Sequence, residues 1–482
     1  MLPRLWPAVL SLGWFLAAIA AAEAVVAVFS WFIDDGEFSA FAISAGVTAV
    51  VAGGCILTTS GRPFELNFRD AIVLTVSAWV VVPLFAALPF LLPPVDLTPV
   101  DAYFEMVSGI TTTGSTVMTG LDSQPPTLLL WRSTVQWIGG IGIIGLAILV
   151  LPFLSIGGMQ LFRLESSERG EKTFPRVRSI ASAVGQVYLL LTALCFICYW
   201  LLGMSTFDAL NHALTTLATA GYSTHDASFG YFDNPAILWT GTVFMACGAI
   251  PFLAYLRLVR GGFRREWIEP QVRAFLATLA VCIAVVAVWL MAAGHHFGFD
   301  ALTHAAFNVT SIVTTTGFVS TDYMQWGAFA AGTFFLLTFV GGCSGSTSGG
   351  MKIFRYQMMF GMVGQHVRQA IFPHSVHHIR YGARVVSGEE AASVGAFFIV
   401  FMAVFAGFAA ALAATGLDTT TAMSAAATAI GNVGPGIGPV IGPAGNFAPL
   451  TDVQKLLLCA AMIMGRLELF SVLVLFMPSF YR

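Results

Sequence analysis

The feature that most constrains this chain is a series of apolar runs about 20 residues long or longer, among them Trp6 to Ile33, Ala71 to Leu92 and Ala274 to Ala293. A helix rises about 1.5 Å per residue, so each run can cross a hydrocarbon core roughly 30 Å thick. A soluble core helix seldom needs that length. Composition agrees, because 57% of the 482 residues are hydrophobic and only 10% are charged, against about 25% in soluble domains. The fold class this predicts is an all-α membrane protein of about ten membrane-crossing helices.

Other classes lose support from the same residues. The net charge of −3 carries no basic excess toward nucleic acid. Seven cysteines, an odd number, lie scattered through apolar stretches and make no disulfide framework. The Cys195-Phe-Ile-Cys198 spacing imitates a redox motif inside a membrane run and reads as packing. The first apolar run is too long for a signal-peptide core and has no small-residue cleavage motif before Asp34, Asp35 and Glu37, so it is expected to stay as a helix. His374, His377 and His378 lie in a basic loop with no Cys or carboxylate at ligand spacing, which points to a partner or lipid-headgroup surface rather than a metal site. Nothing resembles a catalytic triad, a paired-carboxylate site or a nucleotide-binding loop, and no enzyme activity is expected.

Charge sets an orientation. Arg62 and Arg69 share one inter-helix loop; Arg163, Arg169, Lys172, Arg176 and Arg178 fill a second; Arg257, Arg260, Arg264, Arg265 and Arg273 a third; and Lys352, Arg355, Arg368, Arg380 and Arg384 a fourth. The alternate loops, around Asp34, Asp122, Asp226, Asp322 and Gly438, hold no Lys or Arg. By the positive-inside rule the basic set is cytoplasmic, and both termini, with Arg4 and Arg482, join it.

Between two spanning helices from Ala71 to Leu154 lies a third helical stretch, Val100 to Thr113, too short to cross. A short helix followed by a glycine loop reads as a re-entrant segment, tolerated at membrane depth only where protein or a watery cavity surrounds it. The unit recurs four times. Its short helices begin near Asp101, Asp208, Asp300 and Asp418, and the following loops read TTTGST, ATAGYST, TTTGFVST and GNVGPG. The Asp-to-Gly distance varies, so the repeats align only with gaps. The chain divides accordingly into two additional N-terminal helices (1–61) and repeats over 62–165, 166–262, 263–384 and 385–482. Four such units packed about an axis would bring Gly114, Gly221, Gly317 and Gly434 into a ring. Backbone carbonyls there could replace a cation's hydration shell, and each short helix would aim its negative end at the ring.

The TTTGST, ATAGYSTHD and TTTGFVSTDY loops, NVGPGIG, and the stretch GGCSGSTSGGMK together resemble the Trk/Ktr/HKT superfamily of potassium transporters, in particular its TrkH-type bacterial subunit. The likeness runs from about Asp70 to the C-terminus, and the two helices before Gly61 suit the TrkH type. The resemblance implies a single-chain pseudo-fourfold pore with one filter glycine per repeat, potassium being preferred over sodium where all four are glycine. The residues it places in the filter are Thr112, Thr113 and Gly114; Thr219, Ala220 and Gly221; Thr315, Thr316 and Gly317; and Asn432, Val433 and Gly434. In the fourth loop Asn432-Val433 departs from the Thr and Ala pairs elsewhere, so that quadrant is expected to be less symmetrical.

The second helix of the third repeat is interrupted by Gly341, Gly342, Cys343, Ser344, Gly345, Ser346, Thr347, Ser348, Gly349 and Gly350, a run that no helix accommodates well. Met351 separates Gly350 from Lys352, which excludes a phosphate-binding P-loop. Resemblance makes this segment an intramembrane gating loop, with Lys352 beside it. Arg466, in the middle of the last apolar helix, needs a partner. Carbonyls of the 341–350 loop and the carboxylate of Glu468 are the two candidates. Arg132 and Lys455 are expected to snorkel to the outer interface.

The resulting expectation is a potassium uptake protein of the bacterial cytoplasmic membrane, a channel or a transporter, with potassium as cargo and no bound cofactor. A proton- or sodium-coupled secondary transporter is the alternative. Resemblance further implies a homodimer, a cytosolic TrkA-type nucleotide-binding regulatory subunit and contact with membrane lipids.

Overall fold

A computed structural model describes residues 5–62, 67–95, 97–149, 173–261, 269–374, 378–382 and 384–481. Arg4, Arg163, Arg169, Lys172, Arg264, Arg265, His377, Arg482 and the repeat boundaries at 165/166 and 262/263 lie outside the described residues.

Helices α1 (Leu5–Ile33) and α2 (Phe38–Thr59) form an antiparallel hairpin. Its turn passes through left-handed Asp34 and Gly36, at φ 54° and 86°. The first repeat follows as α3 (Phe68–Ala86), short α4 (Pro99–Ile110) and α5 (Pro126–Leu149). The second is α6 (Thr173–Leu201), short α7 (Thr206–Leu217) and the pair α8 (Pro235–Gly248) and α9 (Phe252–Gly261). The third is α10 (Pro270–Ala293), short α11 (Gly298–Val313), then α12 (Ala328–Leu337) and α13 (Ile353–Ile371) on either side of a loop. The fourth is α14 (Gly388–Ala414), short α15 (Thr419–Gly431) and the pair α16 (Asp452–Arg466) and α17 (Phe470–Leu473). A two-stranded hairpin, β1 (Arg380–Tyr381) with β2 (Arg384–Val385), precedes α14.

Six helices are long and apolar enough to cross a bilayer, and two bent pairs, α8 with α9 and α16 with α17, raise this to eight among the described residues. This is fewer than the expected ten; α12 is apolar but only ten residues long, and α5 is described to Leu149. The bends are sharp, 92° for α8–α9 and 109° for α16–α17. The second falls where Glu468 and Leu469 both take left-handed backbone.

A side-chain cap starts three of the four short helices, α11 being the exception. Thr98 and Ser205 accept hydrogen bonds from Asp101 and Asp208 N–H, so those acids sit in the first turn, where they complement the helix dipole. Asp418 is itself the cap of α15 and accepts from Thr421 N–H.

Polarity is reversed relative to a soluble protein. Leu189, Leu190, Trp200, Val281, Val288 and Ile399 are exposed on the long helices, while Thr111–Thr113 and Thr314–Thr316 have no exposed surface at all. The second helix of each repeat packs on the next repeat's short helix: α5 on α7, α8 on α11, and α16 back on α4. At the remaining seam, where α12 has ended, the loop makes the contact through Gly349 against Gly431 and Asn432. The repeats therefore close into a cycle with the four short helices at its centre.

Candidate functional site

All four short helices end in the same way. Thr112 N–H donates to Gly109 O at 3.0 Å and Thr113 N–H to Ser108 O at 2.9 Å. The same pair of bonds runs from Thr219 and Ala220 to Thr216 and Thr215, from Thr315 and Thr316 to Ile312 and Ser311, and from Asn432 and Val433 to Ala429 and Thr428. This is the Schellman closure, which calls for a left-handed residue usually filled by glycine. Here it is filled by Thr112, Thr219, Thr315 and Asn432, at φ 54°, 49°, 59° and 54°. A β-branched residue in that region is strained by about 1–3 kcal/mol, and such strain concentrates at functional sites. Asn tolerates the conformation better, so the departure in the fourth loop keeps its backbone in step with the others.

Two residues later come Gly114, Gly221, Gly317 and Gly434, with φ of 87°, 86°, 86° and 97°. A Cβ built on Gly114 would lie 2.3 Å from Ala220 O, on Gly221 2.1 Å from Thr316 O, on Gly317 2.1 Å from Val433 O, and on Gly434 2.9 Å from Thr113 O. Each glycine thus abuts the carbonyl that precedes the glycine of the next loop, and the series returns to its start. The four predicted loops are brought together as a closed ring of backbone. The last seam is looser than the other three, in line with the asymmetry expected of the Asn432-Val433 quadrant. Asn432 Nδ2 bridges that seam by donating to Thr113 Oγ1 at 3.0 Å and to Met462 O at 2.9 Å.

The loop after α12 lies against the ring. Thr219 Oγ1 donates to Thr347 Oγ1 at 3.1 Å, Gly349 N–H donates to Thr315 Oγ1 at 2.6 Å, and Ser348 Oγ donates to Thr314 O. It is also stitched to the second repeat, where Cys343 N–H donates to Ala249 O and Thr347 N–H to Gly248 O, and to α10 of its own repeat, where Ser344 N–H donates to Gln271 Oε1. Gly341 N–H donates to Met351 O, which joins the two ends of the loop. Gly342 approaches Ser348 and Ala249 closely, Gly345 O accepts from Phe252 N–H, Ser346 Oγ donates to Cys343 O, and Gly350 touches Thr315. Two buried cations hold it: Arg466 Nη2 donates to Thr347 O at 2.8 Å, and Lys352 Nζ donates to Ser348 O. Of the two partners expected for Arg466, the loop carbonyl is the one present. Glu468 instead pairs with Arg355 at 2.5 Å, and the Arg355 guanidinium stacks 3.6 Å from the Phe397 ring centre.

Arg132 and Lys455 correct the expectation of snorkelling. Arg132 is 1% exposed and pairs with fully buried Glu105 at 2.8 Å, while its other nitrogens donate to Thr116 Oγ1 and Ser223 O. Glu105 also accepts from Val117 N–H at 2.9 Å, and Tyr222 OH donates to Glu105 O at 2.7 Å. Lys455, 5% exposed, pairs with Asp101 at 2.6 Å. Both sites are polar enough to hold the charge inside the protein, so the chain need not extend it to the interface.

Sequence reasoning missed a set of polar residues that support the ring. Glu105, His212 and Asn308 each stand nine residues before a ring glycine. Each ties down the ascending loop, Glu105 through Val117, His212 Nε2 through Ser223 Oγ at 2.9 Å, and Asn308 through Ser320 at 2.7 and 3.2 Å. Gln136 adds a clamp between repeats, donating to Ala220 O at 2.7 Å and accepting from Tyr222 N–H at 3.0 Å. The fixed offset from each glycine was the available signal. Farther out, His225 bridges Asp122 at 2.5 Å and Asp208 at 3.4 Å and stacks on Tyr231. Burial would lower its pKa, but the two carboxylates outweigh that and raise it.

The comparisons place this architecture among known proteins. The sequence profile of the TrkH family, described as cation transport protein, matches residues 38–480. The chain is 45% identical to the Trk system potassium uptake protein TrkI of Halomonas elongata, over 98% of this chain and 96% of that one. It is 37% identical to Trk system potassium uptake protein TrkH of Escherichia coli, over 87% of each. The crystal structure of the potassium transporter TrkH from Vibrio parahaemolyticus superimposes with a TM-score of 0.91 at 33% identity, covering 99% of this chain and 100% of that one.

Proposed function

This chain belongs to the TrkH family of cation transport proteins, and from that membership we propose that it carries potassium ions into a bacterium through a pore whose selectivity filter is the four-glycine ring. What supports the reading most is the closed series of glycine-to-carbonyl approaches from Gly114 through Gly221 and Gly317 to Gly434. An ion on the axis exchanges its hydration shell for carbonyls of Thr113, Ala220, Thr316 and Val433. The residues before them, Thr112, Thr219, Thr315 and Asn432, add a second tier. Alternation of left-handed and right-handed φ along each loop turns successive carbonyls toward the same side, and the C-terminal ends of α4, α7, α11 and α15 add negative potential.

The 341–350 loop acts as the gate. Its bonds to Thr219, Thr314 and Thr315 support a closed position beneath the ring. Arg466 and Lys352 set two positive charges there, which repel a cation until the loop withdraws. Opening breaks the hydrogen bonds from Arg466 to Thr347 O and from Lys352 to Ser348 O. The basic segments face the cytosol, both termini included, in the bacterial cytoplasmic membrane. Two copies of the chain and a TrkA-type nucleotide-binding subunit on the cytosolic face complete the assembly, the relatives being named as parts of Trk systems.

Purified protein in liposomes loaded with potassium tests the reading. Efflux with no proton or sodium gradient is the expected result. Efflux that requires either gradient would favour a coupled transporter, and no movement of potassium under any gradient would end the proposal.

A further inference from the structure

We propose that His296, Asp300 and His304 form a binding site for a divalent transition cation such as zinc, at the end of α11 remote from the ring. One ligand atom from each lies within 4.8 Å of the other two. His296 Nδ1 is 2.5 Å from one Asp300 oxygen, and His304 Nε2 is 3.4 Å from the other. Two imidazoles with one carboxylate make the mixed nitrogen and oxygen set that zinc takes, with bonds of about 2.0–2.2 Å and a fourth position left for water. A tetrahedron of that size has an edge of about 3.4 Å. The spacing closes to it by small side-chain rotations, with His296 placed before the helix starts at Gly298.

The surroundings fit a ligand set better than a plain ion pair. The other nitrogen of His304, Nδ1, is hydrogen-bonded to Ser320 Oγ at 2.9 Å. That bond fixes the ring with Nε2 toward Asp300, as the outer partner of a metal-bound histidine does. The His296 ring packs edge-on against Trp326, and the two imidazole centres are 4.8 Å apart. Both histidines are mostly covered, at 23% and 16% exposure, while Asp300 at 59% keeps the site open to solvent. Ser320 also accepts from Asn308, which ties down the loop after Gly317. A metal at this site therefore sits one hydrogen bond from the ring's own support. In the orientation proposed above it faces the outside of the cell.

Isothermal titration of zinc chloride into the purified full chain in detergent tests the site without reference to transport, so failure of the potassium reading would leave its outcome intact. One saturable site per chain is expected. His296→Ala, which touches none of the ring's supports, should weaken it at least about tenfold, as should Asp300→Asn. A His374→Ala/His378→Ala variant should bind as the parent does. Absence of saturable binding, binding indifferent to both His296→Ala and Asp300→Asn, or loss of binding in the His374→Ala/His378→Ala variant would each overturn the proposal.

Discussion

Alanine at each ring glycine in turn should produce a graded series set by the clearances at the four seams. At Gly317 the added Cβ would stand 2.1 Å from Val433 O, and ordinary contact begins at 3.4 Å. The carbonyl must therefore retreat by about 1.3 Å, far enough to leave the ion without that ligand. At Gly434 the clearance is 2.9 Å, and a shift of about 0.5 Å suffices. Every position also holds a left-handed φ between 86° and 97°, which adds strain of about 1–3 kcal/mol, equivalent to roughly 5- to 150-fold in an equilibrium. Rubidium uptake by cells lacking their own potassium systems, with sodium as competitor and membrane abundance measured alongside, reads the effect. Gly317→Ala and Gly221→Ala should lower uptake by about 100-fold or more and erode the preference over sodium. Gly434→Ala should be the mildest of the four. Native uptake and selectivity in Gly317→Ala, or a greater loss in Gly434→Ala, would refute the reasoning.

Arg466→Ala removes the charge-assisted bond to Thr347 O and one of two cations under the ring. At about 1.5–3 kcal/mol for such a bond, flux without the regulatory subunit should rise by about tenfold or more in the liposome assay, and unchanged or lower flux counts against a gate. Glu105→Gln or Arg132→Ala breaks a buried pair, at a cost of about 3–5 kcal/mol, and should lower the unfolding temperature in detergent. A double Glu105→Gln/Arg132→Met variant should recover part of the loss, and equal melting of all three variants with the parent would contradict the pairing. His225 carries a raised pKa between Asp122 and Asp208, with His212, Tyr231 and Asp226 the other titratable groups nearby. Its bridging is fully present below about 6.5 and is lost as pH rises through the raised value. Melting temperature should therefore fall across that alkaline window in the parent and stay flatter in His225→Gln. A parallel fall in both would show that the histidine is not responsible.

The spanning helices, the four short helices and the glycine loops were legible because each rests on local pattern: apolar length, a helical stretch too short to cross that begins near an acid, and a glycine loop after it. The partner of Arg466 was partly legible, since a charge in an apolar helix demands acceptors and the broken segment at Gly341–Gly350 offers carbonyls. Arg132 and Lys455 were misread because their partners lie far away in sequence, Glu105 on another helix and Asp101 in another repeat. Packing of α5 on α4 inside the first repeat makes the first pair, and closure of the ring makes the second. The 109° bend after Arg466 had no marker, because it turns at left-handed Glu468 and Leu469 rather than at proline or glycine. His296 and His304 flank Asp300 at four-residue steps, a spacing visible in the sequence whose meaning depends on the His304 ring being turned toward Asp300 by Ser320.

The most direct test of the central claim is a crystallographic map of the protein soaked in rubidium or thallium salt, read by anomalous difference. A peak on the axis, ringed by the carbonyl oxygens of Thr113, Ala220, Thr316 and Val433, is expected. A heavy ion bound elsewhere along the chain, with none inside the glycine ring, would contradict it.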